Sequence, residues 1–186
     1  MPRLLIFSGS IRQASFNRKL AKAAVEPAQA LGFDVTLLDL ADYDMPLYNG
    51  DLEEAEGLPE ATRRFQALLA DHDALLISTP EYNGNMPPLL VNALDWASRS
   101  DGQDRVRPFA GKIAGIMAAS PGGLGGIRVI PRLRAFLTDL GVVTTTTHAT
   151  LPQAFKGFDD QGVLINERTA GQIQTVLEQI RALLKT

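Results

Sequence analysis

Short, nearly unbroken apolar runs alternate along this chain with longer stretches in which apolar residues recur every three or four positions. RLLIFSGS (3–10) predicts a buried strand, and NRKLAKAAVEPAQALG (17–32) an amphipathic helix closed by Gly32. FDVTLLDL (33–40) predicts a second strand, followed by a loop rich in Asp, Pro and Gly. A helix around ATRRFQALLADH (61–72) leads into a third strand, DALLISTP (73–80). LLVNALDWASR (89–99) predicts the next helix, and SDGQDRVRPFAG (100–111) a polar loop. KIAGIMAAS (112–120) reads as the fourth strand. IRVIPRLRAFLTDLG (127–141) reads as a helix in which Pro131 is tolerable only within the first turn. VVTTTTHA (142–149) predicts a fifth strand, its threonines serving as β-branched filling. A loop, LPQAFKGFDDQG (151–162), precedes a last helix capped by Asn166.

Five strands alternating with helices predict an α/β fold with a parallel, doubly wound sheet and helices on both faces. Residues 1–186 are expected to form a single domain, with no repeat or linker. In such sheets ligands bind beyond the carboxyl ends of the strands, where the strand order reverses. That rule singles out the loops after the first, third and fourth strands.

Composition narrows the chemistry. The 186 residues carry a net charge of −3, which argues against a nucleic-acid partner. There is no cysteine, so disulfides, thiolate metal sites and thiol nucleophiles are excluded. His72 and His148 lie far apart in the sequence, without the spacing of metal ligands. No apolar run approaches the length of a membrane span. The first strand starts almost at Met1, so a cytoplasmic protein without a secretory leader is expected.

SGSIRQASFN (8–17) places Ser10, Arg12, Ser15 and Asn17 at the entry of a helix, whose free N–H groups suit a phosphate. It is neither a dinucleotide fingerprint nor a P-loop, and a Ser-capped helix entry with an exposed arginine accounts for the same residues. TPEYNGNMPP (79–88) is longer than a strand-to-helix connection requires. Its prolines stiffen it, and Gly84 permits a left-handed turn, so that backbone N–H groups of Glu81, Tyr82, Asn83 and Gly84 could face the edge of a flat heterocycle. A solvated Pro/Gly turn is the alternative. SPGGLGGIR (120–128) concentrates glycines where a chain must approach a ligand closely. Trp96 reads as core, Arg99 and Arg105 as solvated cations, and Glu81 with Asp95 as no acid–base pair.

Together these segments resemble the NADPH-dependent FMN reductase family, flavodoxin-like flavoproteins that include quinone and chromate reductases. The pattern G-S-x-R-x-x-S-x-N matches at Gly9, Ser10, Arg12, Ser15 and Asn17. P-E-Y-N-x-x-x-P matches at Pro80, Glu81, Tyr82, Asn83 and Pro87, followed by Asn92, Ala93, Asp95 and Trp96. Ser120, Gly122, Gly123, Gly125, Gly126 and Arg128 match the third motif, and MPLYNGDLE resembles the segment after strand two. The departures are Asn85 where serine is frequent and Val91 where lysine is frequent.

The resemblance implies a three-layer flavodoxin-like sandwich, strand order 2-1-3-4-5, with noncovalent FMN. Ser10, Arg12, Ser15 and Asn17, with Phe16 between the last two, would hold the phosphate. Pro80, Glu81, Tyr82, Asn83 and Gly84 would run along the isoalloxazine, and Ser120, Gly122 and Gly123 would close the pocket. NADPH or NADH would reduce the flavin, and a small acceptor (a flavin, a quinone or chromate) would reoxidise it in a ping-pong cycle. No side-chain acid or base is needed for the first step, and no metal. A homodimer or homotetramer is implied. Two rivals are a flavodoxin-type electron carrier, for which −3 is a weak charge, and a non-enzymatic protein of the same fold. No residue that reads the ribose is identifiable, so NADPH and NADH are not ranked.

Overall fold

The computed structural model describes residues 1–100 and 108–185. Five β-strands form the predicted parallel sheet, in the order β2-β1-β3-β4-β5: β1 (Arg3–Ser8), β2 (Asp34–Leu38), β3 (Ala74–Thr79), β4 (Ile113–Ala119) and β5 (Val143–Thr144). A short sixth strand, β6 (Ala149–Leu151), also pairs with β4. The helices are α1 (Phe16–Ala23), α2 (Val25–Ala30), α3 (Gly50–Glu56), α4 (Glu60–Ala70), α5 (Pro88–Ala97), α6 (Val129–Asp139) and α7 (Glu167–Leu183).

Unbroken apolar strands are what a sheet covered on both faces requires, because successive side chains point to opposite sides. Leu5, Phe7, Leu75, Ile77 and Ile116 face a core shared with α4, α5 and α6. Leu4, Ile6, Leu76 and Met117 face the other core, with Leu20 of α1 and Val176, Leu177 and Ile180 of α7. Trp96 is fully buried, as expected of a core residue, and its Nε1 donates to Pro46 O at 2.7 Å.

Three elements depart from the pattern. The helix expected over 17–32 breaks at Ala24, because Pro27 lacks an N–H and its ring would clash with the carbonyl of Ala23 in a continuous helix. Pro131, by contrast, is the third residue of α6 and sits harmlessly in its first turn. The expected fifth strand splits into β5 and β6, so the threonine run is more than filling. Thr145 Oγ1 donates to Thr147 O at 2.8 Å, a local bond that competes with the ladder. Arg134 of α6 binds the carbonyls of Thr145 and Thr146, and Gln179 of α7 accepts from Thr147 N at 3.0 Å.

The loop after β2 is also more ordered than its composition suggests, with a 3-10 turn at Leu40–Asp42 and α3. α5 stitches it down. Asn92 Oδ1 accepts from Tyr48 N at 2.8 Å, and Tyr48 packs edge-on against Trp96 with centroids 5.0 Å apart. Arg99, expected to be solvated, instead donates from Nε to Glu53 Oε2 at 2.9 Å and lies over the Tyr48 ring, 5.4 Å from its centroid. Arg105 lies outside the described residues.

This tie has a pH signature. Hydrogen bonds from Arg99, against an opposing contribution from burial, hold the Glu53 carboxyl below the usual glutamate range. A carboxyl with a depressed folded pKa contributes stability that is present above its unfolded value of about 4.3 and lost as pH falls through the folded one. Thermal unfolding followed across acid pH should therefore show a shallower loss of stability for Glu53→Gln than for the parent. Parallel profiles would mean that Glu53 carries none of the acid sensitivity.

Candidate functional site

The strand order reverses between β1 and β3, and the loops after β1, β3 and β4 converge at the carboxyl end of that switch point. Gly9 N donates to Ser78 O at 2.9 Å, carrying the β1–β3 ladder into the first loop. A Cβ on Gly9 would stand 3.1 Å from both Leu90 Cδ2 and Thr79 Oγ1, a tight fit that those side chains would have to relieve, so glycine suits a loop lying this close to β3 and α5.

The first loop is a set of donors. Ser8 Oγ accepts from Ser10 N at 3.2 Å and shapes the turn. Ser10 is 8% exposed, and its hydroxyl meets no partner among the described residues. Ser15 caps α1 by accepting from Arg18 N at 3.4 Å, which leaves its hydroxyl proton free. The N–H groups of Phe16 and Asn17, the first two residues of α1, meet no acceptor among the described residues. Arg12 is exposed and unpaired there, while Arg18 is tied to Asp39. The Phe16 ring stacks on Phe158 at 6.4 Å, so its contribution to the loop is its backbone.

Asn17 has a different job from the one its position in the motif suggests. Its side chain is 3% exposed, with Nδ2 donating to Ala119 O at 2.9 Å and Oδ1 accepting from Ala119 N at 2.8 Å. Oδ1 also accepts from Ser78 Oγ at 3.1 Å. Ser120 N turns towards Leu151 O, so Ala119 turns its peptide groups to the β3 side, where β3 has ended at Thr79. The Asn17 amide replaces the missing strand. Only its backbone N–H is left for a ligand.

The second loop contains a two-residue hairpin. Tyr82 N donates to Asn85 O at 2.9 Å and Asn85 N to Tyr82 O at 3.0 Å, with φ of 55° at Asn83 and 80° at Gly84. That is a type I′ turn, the geometry that Asn-Gly favours. The expectation that four consecutive N–H groups face a ligand is corrected here, because the Tyr82 N–H is spent inside the turn. Those of Glu81, Asn83 and Gly84 meet no acceptor among the described residues.

Glu81 is the unforeseen element. Its carboxylate, 6% exposed, accepts from the Arg128 backbone N–H at 3.0 Å and from Arg128 Nε at 2.6 Å, and also pairs with Nη2. Arg128 is the N-cap of α6, so one acid clasps the second loop to the third and neutralises the cation beside it. The motifs contain both residues, but no local pattern shows that they meet. Asp95 lies on α5, and burial raises its pKa above the usual range; Glu81 is committed to Arg128 and forms no acid–base pair with it.

The third loop divides its glycines. Gly126 has φ of 81°, and a Cβ there would stand 2.8 Å from Ala118 Cβ, so this glycine serves packing. A Cβ at Gly123 would meet nothing within 4 Å, and one at Gly122 only Ser120 Oγ at 3.8 Å; the same hydroxyl donates to Gly122 O at 3.4 Å. Gln153 N supports the loop from behind by donating to Gly122 O at 3.0 Å. Of the two departures from the family pattern, Asn85 is exposed and accepts from Met86 N at 2.9 Å, while Val91 is half-buried on α5.

A parallel sheet in the order β2-β1-β3-β4-β5 with helices on both faces defines an α/β protein of the flavodoxin-like class, and the donors and free N–H groups of the first loop suit a phosphate. Among the described residues there is no cluster of metal-ligating side chains, and no helix is long and apolar enough to cross a membrane. The NADPH-dependent FMN reductase family model matches residues 2–156, and the chain belongs to that family. It is 38% identical over 183 residues to an NAD(P)H-dependent FMN reductase of Pseudomonas aeruginosa, covering 96% of this chain and 93% of that one. It is also 34% identical to a 2-hydroxy-1,4-benzoquinone reductase of Burkholderia, covering 97% and 94% of the two chains. Among solved structures it resembles FerB, a flavoenzyme NAD(P)H:(acceptor) oxidoreductase of Paracoccus denitrificans, with TM-score 0.82 and 30% identity over 100% of this chain and 98% of the other. The protein is thus an oxidoreductase that works with FMN and NAD(P)H, and the electron-carrier alternative is not favoured.

Proposed function

We propose that the three loops hold FMN and that the protein reduces a small oxidised acceptor, of the quinone or flavin type, at the expense of NAD(P)H. The observation that carries this is the donor set of the first loop. Ser10, Ser15, Arg12 and the N–H groups of Phe16 and Asn17 supply hydrogen bonds and positive charge, and the nearby carboxylate of Asp39 is paired with Arg18. That chemistry fits a phosphate monoester.

Bound FMN would supply the redox chemistry, accepting a hydride equivalent from the nicotinamide and passing it on to the acceptor. The residues of this chain do the rest. Pro80 and the Asn83–Gly84 turn form a wall that cannot readily shift, because the turn is closed by two hydrogen bonds and by the Glu81–Arg128 clasp. The free N–H groups of Glu81, Asn83 and Gly84 offer fixed dipoles to negative charge at the ring edge. Gly122 and Gly123 add no side chain of their own to the opposite side, where Ser120 Oγ is the one group within 4 Å of a Cβ built on Gly122. A single open site shared by reductant and acceptor supports ping-pong kinetics. The homodimer or homotetramer implied by the family resemblance belongs to the same proposal, and sedimentation of the purified protein tests it.

The test is a visible spectrum of the purified, FMN-loaded protein before and after anaerobic NADPH, followed by steady-state turnover with a quinone. A flavin band that bleaches and then sustained NADPH oxidation are expected; a band that NADPH leaves untouched would sink the proposal. Arg12→Ala should raise the FMN dissociation constant about tenfold or more, since a charge-assisted contact to phosphate is lost. Arg12 makes no intramolecular bond among the described residues, so its loss should leave the unfolding temperature of the apoprotein unchanged.

A further inference from the structure

Beside the Asn83–Gly84 turn lies a cleft of about 780 Å3 whose far side is α6. Arg128, Pro131, Arg132 and Phe136 line it, with Asp139 at the opposite end. The volume falls within the range of sites that take a nucleotide-sized ligand. The two arginines differ in their state. Arg128 is committed to Glu81, whereas Arg132 is exposed and has no partner among the described residues. Asp139 is seven residues further along α6, roughly 10 Å at a helical rise, and no ion pair joins it to Arg132 among the described residues. Positions 128 and 132 are four apart, so their side chains share one face. Among the described residues the cleft therefore carries one uncompensated guanidinium, that of Arg132, next to apolar surface from Pro131 and Phe136 and beside the Asn83–Gly84 turn.

NADPH and NADH differ only in the 2′-phosphate on the adenosine ribose. A protein that favours NADPH is helped by a cation where the adenosine ribose lies, and a guanidinium pairs with a phosphate monoester through two parallel hydrogen bonds. Among the described cations near the site, Arg12 belongs to the phosphate loop, Arg18 to Asp39 and Arg128 to Glu81. The geometry points to Arg132 as the residue that selects NADPH over NADH, by pairing with the 2′-phosphate while the adenine rests on Pro131 and Phe136. The inference rests on the functional reading above, because it places the adenosine half of the dinucleotide on the side of the turn away from the first loop.

The test compares the parent with Arg132→Ala, both loaded with FMN. The ratio of kcat/KM for NADPH to that for NADH should fall roughly ten- to hundredfold in the variant, with the loss in KM for NADPH rather than in kcat. Calorimetric titration gives a readout independent of turnover. The parent should bind 2′,5′-ADP more tightly than 5′-AMP, and Arg132→Ala should bind the two alike. Because Arg132 holds no other group among the described residues, unchanged unfolding temperature and flavin content are expected. A parent that binds both nucleotides equally, or a variant that keeps the parent's cofactor ratio, overturns the assignment. A parent that oxidises neither dinucleotide overturns the functional reading instead, and the calorimetric difference still decides the role of Arg132.

Discussion

Asn17→Ala should lower the stability of the fold by about 2–5 kcal/mol and weaken FMN binding with it. The estimate follows from what is orphaned: the alanine leaves the Ala119 N–H and C=O without their partners at 2.8 and 2.9 Å, and takes the acceptor from Ser78, which is fully buried. Unpaired buried backbone groups cost about 1–3 kcal/mol each, more than the bonds themselves contribute. Because the same amide fixes the first turn of α1 to β3 and β4, the phosphate loop loses its footing. Asn17→Asp separates the components. It keeps an acceptor for Ala119 N but sets a carboxylate against the Ala119 carbonyl, so it should be at least as destabilising. Urea unfolding and FMN titration of both variants make the comparison. A lower FMN affinity with an unchanged unfolding midpoint would show that Asn17 acts on the phosphate directly and not through the sheet.

Gly115→Ala should reduce stability by about 1–3 kcal/mol through overpacking. Gly115 sits in mid-strand opposite Leu76, on the face covered by α7. An alanine Cβ there would stand 2.4 Å from Val176 Cγ1, 2.9 Å from Leu76 Cδ1 and 3.1 Å from Ile180 Cδ1. A β-branched valine has little freedom to withdraw, so the helix itself must move. For a chain of this size the loss corresponds to a fall of roughly 2–12 °C in the unfolding temperature. The contacts are remote from the three loops, so the FMN dissociation constant should stay that of the parent. Paired with Asn17→Ala, this separates damage to the core from damage to the site. A Gly115→Ala protein that unfolds at the parent's temperature would mean that α7 is more loosely seated than these distances imply.

The two variants also mark where reading the chain succeeds and where it stops. The alternation of apolar runs with helical periods identified the sheet, its parallel sense and the layers on each face, because burial on both sides imposes that pattern locally. The glycine and proline signals worked wherever a neighbour or two decides the conformation: Asn83–Gly84 turns because of its own φ preferences, and Asn166 caps α7 by accepting from Thr169 N at 2.9 Å. The break at Ala24 is legible as well, in the missing N–H of Pro27. The split of the last strand was not, since it depends on Arg134 and Gln179 reaching in from two different helices.

The sequence alone determined the architecture and the three loops that meet at the switch point, for periodicity, turn preference and helix-entry chemistry act over a few residues. Only the tertiary structure decided what the side chains in those loops do. Asn17 is turned inward because Ala119, 102 positions away, presents a peptide with no strand beside it. Glu81 is bound rather than reactive because Arg128, 47 positions on, arrives at the same corner. Hydrogen-bond partners that far apart are brought together by the packing of the whole sheet, and no local pattern encodes their meeting.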